Sequence, residues 1–436
     1  MKKIRIILSL CLLAVTVVLP VGHAELQTKA ATRTVIPLEP LIDGKTGDIH
    51  LKSKTDAVYT ISKPIQNVKV NLIGASSGSE IRADFNGTGS SQTPYLLSFA
   101  EGHTHITVKN IRFDLAHRGR GSLKFSKNRD ITISHNEFTG YSKRFGYYKT
   151  DSAILLDGVQ NATIEQNIFT KNGFEYTAKL GDLNRCITIQ GSNSNQFQLI
   201  NNRFYQVNQA VVALAPSITS FTASGNRFEN VVDNALYLLQ VQKAAVHHNT
   251  FLNMADEAIV ISGGDFQIYN NYGKNVKNKF LAIQDNIKSI SFISNNLTSD
   301  YPSKTSRPSA IAWRPGSSQA RVTNFTVKNN AFNLDTSPKN YDVFPIGNVK
   351  NWTFENNKVI LQTLETYQKL FSFNGTETIQ SALFIDNQIS VRSGGRIAPK
   401  SYFLRETATK LTPINKLVIR STPFKGQLPF KYKYVK

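Results

Sequence analysis

The sequence predicts an all-β chain, a single-stranded right-handed parallel β-helix solenoid of about 11–12 coils with an N-terminal cap and a basic C-terminal segment. Two observations predict it. A short β-rich run ending in Asn, any residue and a large apolar residue recurs along most of the chain, and a second β-rich run follows each copy. The period-2 alternation and the many β-branched residues argue against helical repeats.

The first run reads ITISHNEF ending at Phe138, ATIEQNIF at Phe169, FQLINNRF at Phe204, FTASGNRF at Phe228 and AAVHHNTF at Phe251. It continues to Tyr272, Leu297 and Phe332, with looser copies ending at Val359 and Ile389. The recurring asparagines are Asn136, Asn167, Asn202, Asn226, Asn249, Asn271, Asn296, Asn330, Asn357 and Asn387, with gaps of 31, 35, 24, 23, 22, 25, 34, 27 and 30 residues. Each repeat is then one coil that buries its apolar side only against its neighbours. Stacked coils would place the phenylalanines about 4.8 Å apart inside the tube. The asparagines would form a ladder, each amide satisfying backbone groups of the next coil.

The second run reads DSAILLDG from Asp151, NRCITIQG from Asn184, NQAVVALA from Asn208, DNALYLLQ from Asp233, DEAIVISG from Asp256, NKFLAIQD from Asn278 and PSAIAWRPG from Pro308. Alternation turns Ile154 and Leu156, Ile187 and Ile189, Leu236 and Leu238, and Ile259 and Ile261 inward, and their neighbours toward solvent.

At the ends the pattern changes. Residues 1–24 read as a secretory signal, with Lys2, Lys3 and Arg5 before the apolar run Ile6 to Val21 and small residues at Gly22 and Ala24. No later run approaches the roughly 18 apolar residues of a membrane span. A secreted or periplasmic monomer is expected. Residues 25–390 form the β-helix with its cap, and residues 391–436 a basic cap or tail packed along the coils. Removing the signal lowers the formal charge from +21 to +18, because it takes three cations and no anion. Such a surplus draws polyanions; for an exported chain these are acidic polysaccharides, and no nucleic-acid partner is expected. Cys186 is the only cysteine left, which excludes an intramolecular disulfide and a Cys-based metal site.

Insertions at 139–150, 170–183 and 298–307 rise from one edge of the tube, where function concentrates. The first interleaves Lys143, Arg144 and Lys149 with Tyr141, Phe145, Tyr147 and Tyr148. With Arg118 and Arg120 it offers cations for sugar carboxylates and rings for stacking. Below it, the residues that start the second strand form a column of Arg120, Asp151, Asn184, Asn208, Asp233, Asp256 and Asn278. The next column holds Arg185, Gln209, Asn234, Glu257 and Lys279, and the outward face carries Lys124 and Tyr237. Asp233 and Asp256 would sit side by side. In a lyase, Arg185, Lys124, Arg120 or Asp-bound calcium would neutralise a uronate carboxylate, and Tyr237, Lys279 or His117 would exchange the proton. Calcium would take Asp151, Asp233, Asp256 and Glu257. In a hydrolase the two aspartates would be the paired carboxyls. In a structural reading they only cap strands. His247 and His248 look like a ligand pair, but His248 falls in the turn register of His135, Gln166 and Asn201 and is read as structural, and Trp313 as core.

The Asn-x-Phe coils from Val68 to Ile389, the signal and the charge together resemble the pectate-lyase-like superfamily of secreted β-helix lyases, epimerases and hydrolases. Within it, FTGYSKRFGYYKTDSAILLDG, residues 138–158, looks like coils of the alginate and chondroitin lyase family, which implies a Lys/Arg pair and calcium. That family's Glu-rich strand followed by lysine is absent. So are the Asp-Pro-His motif of mannuronan epimerases and the Gly-Asp-Asp strand with a Gly-His-Gly turn of polygalacturonases. In size and export the chain is similar to lyases that trim biofilm exopolysaccharide. The first expectation is a lyase cleaving an acidic, uronate-bearing glycan by β-elimination. A glycoside hydrolase using Asp233 and Asp256 is the second, and a non-catalytic polysaccharide-binding matrix protein the third.

Overall fold

The computed structural model describes residues 33–85, 95–116, 118, 121–140, 152–171, 184–299, 309–314, 317, 319–334, 342–364, 369–397, 402–406 and 414–422. One coil shows the plan. Ser152–Asp157 lies on a first face, Gln160–Glu165 on a second and Ile168–Thr170 on a third. Pairing between coils is parallel and in register, so that Ile154, Ile187, Val211, Leu236, Ile259, Leu281 and Ile311 form one continuous inward row. Parallel crossovers of this kind take the right hand, and the molecule is a right-handed parallel β-helix. Among the described residues the third face stacks 14 strands, more than the 11–12 coils expected. The surplus lies partly at the N-terminal end, where Tyr59 and Ile81 stack in register below Phe113 without the asparagine signature. Pairing also runs past residue 391: Tyr402–Glu406 adds to Lys369–Phe373, and Leu417–Arg420 to Ser381–Ile385.

The third face holds the phenylalanine stack. Rings of Phe138, Phe169, Phe204, Phe228 and Phe251 follow one another at 4.8–4.9 Å and are nearly parallel. The next coil breaks the series. The inward slot there belongs to Gly273, and Tyr272, the residue the repeat points to, is turned outward. A Cβ at Gly273 would run into the ring of Phe280, which comes from the first face and meets Phe251 edge-on at 5.3 Å. Phe280 stands where neighbouring coils carry buried Ala235 and Ala258. The large and small residues have exchanged places between two faces, so the interior stays filled.

The asparagine ladder forms with one correction. Each member's Oδ1 accepts from the backbone N–H and Nδ2 of the member before it, as Asn226 does from Asn202 at 2.8 and 3.0 Å. Its Nδ2 donates back to a carbonyl, that of Leu199 for Asn226 at 2.7 Å. Between Asn271 and Asn330 the rung is Asn295, which is buried, and not the expected Asn296, which is exposed at the start of Asn296–Ser299. The two residues after a rung are outward and inward, and Leu297 is inward, so the rung must lie two places before it. Residues just before the rungs sit in the left-handed region, among them His135, Gln166, Asn201 and His248 with φ of 53–55°. That geometry suits Asn, His and Gly and excludes β-branched residues, so His248 occupies a structural position. Among the described residues no helix is long and apolar enough to cross a membrane.

Candidate active site

Three successive coils build a carboxyl cluster on the first face. Asp233 and Asn234 precede inward Leu236, Asp256 and Glu257 precede Ile259, and Asn278 and Lys279 precede Leu281; the three inward residues are paired, so their leaders are neighbours. One oxygen from each of Asp233, Asp256 and Glu257 lies within 4.8 Å of the others. Glu257 is buried and held on all sides. Asn234 Nδ2 donates to it at 2.9 Å, and Lys279 Nζ and Arg314 Nε each stand 3.4 Å from Oε1. Asn278 Nδ2 donates to Asp256 at 2.7 Å, and Gln209 Nε2 to Asp233 at 3.1 Å. Gln209 in turn accepts from Arg185 Nε at 3.1 Å.

Burial dominates the electrostatics. It pushes the Asp233 carboxyl up from 3.8 to about 6, helped by the negative Glu257 and opposed by Asp256, Arg314 and Arg185. Glu257 is raised too, by burial first and then by Asp256, against Arg314 and Lys279. A carboxyl whose folded pKa is raised stabilises the fold fully below its unfolded value, and that contribution is lost as pH rises through the folded value. For Asp233 the window runs from about pH 4 to above 6, and the ionised form costs the folded state about 3 kcal/mol. Asp233→Asn is therefore expected to raise the thermal midpoint above that of the wild type at pH 8. Near pH 4 the two should coincide. A wild-type midpoint equal to or above the variant's at pH 8 would contradict the strained carboxyl.

Beside the cluster lies a cation–aromatic pair. Arg314 Nη1 is 3.4 Å from the Tyr237 hydroxyl and its guanidinium carbon 5.6 Å from the ring centre. A second hydrogen bond, 3.0 Å to Gln284 Oε1, steadies Arg314 from its own side. Tyr237 pairs with Val260, Val260 with Ala282 and Ala282 with Ala312. The two side chains are thus rooted three coils apart and must lie flat along the face to meet. They cover the outward row, where Val260 and Ala282 are buried instead of facing solvent as the alternation predicts. Thr188 and Val212 are also buried.

The structure brings Asp233, Asp256, Glu257 and Lys279 together, links Arg185 to them through Gln209, and reaches Tyr237 through Arg314. Lys124 stands apart. It is in the same outward row as Tyr237 but four coils away, about 19 Å at the spacing of paired strands. Arg118 lies on the coil of Lys124 and is ion-paired with Asp84 at 3.2 Å. His117, Arg120, Lys143, Arg144, Tyr147, Tyr148 and Asp151 lie outside the described residues. Arg314 and Gln284 carry no motif and are not among the expected site residues; their signal in the sequence is position alone, two residues beyond the outward row at Ala312 and Ala282.

The coil architecture is a right-handed parallel β-helix, here carrying a carboxyl–cation cluster on one face. No protein-family model matches the chain, and no curated protein does. Solved structures similar to it include PfbA, a surface adhesin of Streptococcus pneumoniae, at 11% identity over 83% of this chain and 85% of that one, with a TM-score of 0.44. A mannuronic acid specific polysaccharide family 6 lyase from human gut microbiota shares 14% over 78% and 86%, with a TM-score of 0.42. The tailspike protein of E. coli bacteriophage HK620, solved in complex with a hexasaccharide, shares 12% over 89% and 69%, also with a TM-score of 0.42. At such identities the likeness is one of fold.

Proposed function

We propose that the protein is an exported lyase that cleaves an acidic, uronate-bearing polysaccharide by β-elimination on its first face. The observation that carries this reading is the Tyr237–Arg314 pair, held at 3.4 Å beside the carboxyl cluster and half-buried at the surface. In the elimination, the proton on C5 becomes removable once the uronate carboxylate is neutralised. Arg314, with Arg185 and Lys279 nearby, supplies the positive charge. Tyr237, entering as the phenolate, takes the C5 proton, the electron pair forms the C4–C5 double bond, the C4–O bond breaks, and the phenol so formed gives its proton to the leaving oxygen, which restores the phenolate. The Arg314 guanidinium, which donates to the Tyr237 oxygen, stabilises that anion before and after the transfer. Glu257 anchors Arg314 Nε and so sets the direction of the fork. Asp233 and Asp256 fit a hard cation by donor type and spacing; a calcium ion held there would add to the neutralising charge.

One observation favours hydrolysis as a second reading. Asp233, with its carboxyl at about 6, suits a proton donor, and an Asp256 oxygen within 4.8 Å of it suits the partner of a retaining pair. Incubating the protein with a panel of acidic polysaccharides separates the readings. Ultraviolet absorbance of an unsaturated uronate supports the lyase, and new reducing ends without it support the hydrolase. Binding with neither product leaves a matrix protein that holds the glycan.

A further inference from the structure

Beyond Tyr237 and Arg314 the first face runs into a groove of about 600 Å³ at the corner where it meets the second face. Here the strands Leu236–His247 and Ile259–Tyr269 turn from one face to the other without a loop, and their register slips between Leu238 and Val241. At Gly263 and Gly264 the floor is bare backbone: Gly263 has φ +119°, and a Cβ on Gly264 would collide with the Gln242 carbonyl. Gln240 and Gln242 line one side, Asp285, Asn286 and Lys288 the other. The groove is continuous with the site. Ser262 Oγ on its floor accepts from Gln240 N–H at 3.0 Å, and Gln284, which accepts from Arg314, immediately precedes Asp285. Gln240 follows Tyr237 by three residues, roughly 10 Å of strand, a distance that the next units of a bound glycan would span.

Its charged groups are two aspartates and two lysines. Lys288 Nζ lies 2.9 Å from Asp265 Oδ2, and Ser289 Oγ donates to the same carboxylate at 2.5 Å. Lys243, in register with Asp265, acts on that carboxylate too. Lys288 is thus paired with Asp265, while Asp285 is exposed, one of its oxygens accepting only from its neighbour Asn286 N–H at 2.8 Å among the described residues. What the groove offers a ligand is the Gln240 amide, what remains of the Gln242 and Asn286 amides after Gln242 Nε2 donates to the Pro216 carbonyl and Asn286 Oδ1 accepts from Arg321 N–H, and the Asp285 carboxylate. These groups match hydroxyls and an acetamido group, and Asp285 disfavours a carboxylate beside it.

We propose that this groove is a subsite for an uncharged sugar unit, so that the glycan is a heteropolymer in which the uronate at Arg314 has a neighbour without a carboxylate. This rests on the reading of the site as one for uronate glycans. The test is equilibrium binding of the full chain to length-matched hyaluronan oligosaccharides, in which uronate alternates with N-acetylhexosamine, and to oligogalacturonates, in which every unit is a uronate. With a formal charge of +21, electrostatics alone favours the more highly charged oligogalacturonate. The groove predicts the reverse, hyaluronan binding more tightly by about tenfold at equal ionic strength. Asp285→Lys should invert that ratio, and Asp285→Asn, which keeps the shape, should move it the same way by less. Tighter binding of oligogalacturonate by the wild type, or a ratio unmoved by both variants, overturns the subsite. If the ratio holds and no unsaturated product forms from any acidic glycan, β-elimination fails and the subsite stands. Failure to bind either glycan removes both.

Discussion

Tyr237→Phe is expected to lower turnover of a cleaved acidic glycan by about 10²–10⁴-fold, the range of a lost proton-transfer group. The ring remains, so its contact with the Arg314 guanidinium, 5.6 Å from the ring centre, and the cover over Val260 survive. The loss should therefore appear in kcat and leave KM within a few-fold. Arg314→Lys is the companion variant. It preserves charge but cannot contact Glu257, Gln284 and Tyr237 at once as the planar fork does, and a loss of about 10²–10³-fold is expected. Initial rates of unsaturated product measure both. If both variants turn over at the wild-type rate, the chemistry lies elsewhere on the tube.

The second large effect concerns adjacent residues that the repeat itself does not distinguish. Asn295→Ala removes the donor to the Ile268 carbonyl at 2.9 Å and the acceptor for Asn271 N–H and Nδ2 at 3.0 and 2.9 Å, all inside the tube. Stranding these buried groups is expected to cost about 3–5 kcal/mol. Asn296→Ala touches an exposed side chain and should stay within about 0.5 kcal/mol. Urea unfolding followed by circular dichroism compares them, and equal midpoints would show that the ladder does not run through Asn295.

Why the sequence misplaced that rung by one residue is instructive. SNNL contains two asparagines, and only the direction of Leu297 distinguishes them. The paired asparagines of YNNY likewise give Tyr272 the appearance of the inward residue, because the true one, Gly273, is compensated by Phe280 seven residues later and on another face. Compensation across the interior leaves no mark in a local pattern. The outward row shows a related limit. Alternation tells which way Val260 and Ala282 point, but not that Tyr237 and Arg314, rooted three coils apart, would fold down over them.

The candidate site divides along the same line. Asp233, Asp256, Glu257 and Lys279 could be aligned in the sequence because each opens a strand at the same distance from a paired inward residue. Arg314 could be placed on that face by the same alignment but not at the cluster, since its side chain works three coils from where it is rooted. Lys124 shares the row of Tyr237 but stands at the wrong height in the stack. A row in the alignment says which face a residue is on and nothing about how far along the axis a partner can be reached.

Taken alone, the amino-acid order determined the solenoid, the buried ladder of asparagines, the phenylalanine column and the side of the tube on which the acidic residues gather. All of these follow from short-range rules: strand alternation, a turn that admits only certain residues, and a coil that can bury its apolar edge only against the next. Tertiary structure alone decided which charges meet. Arg314 at Glu257 and Tyr237, Gln209 between Arg185 and Asp233, and the side-chain-free floor at Gly263 and Gly264 depend on side chains spanning several coils. Their reach and the burial that raises Asp233 are properties of the assembled stack, and no single repeat contains them.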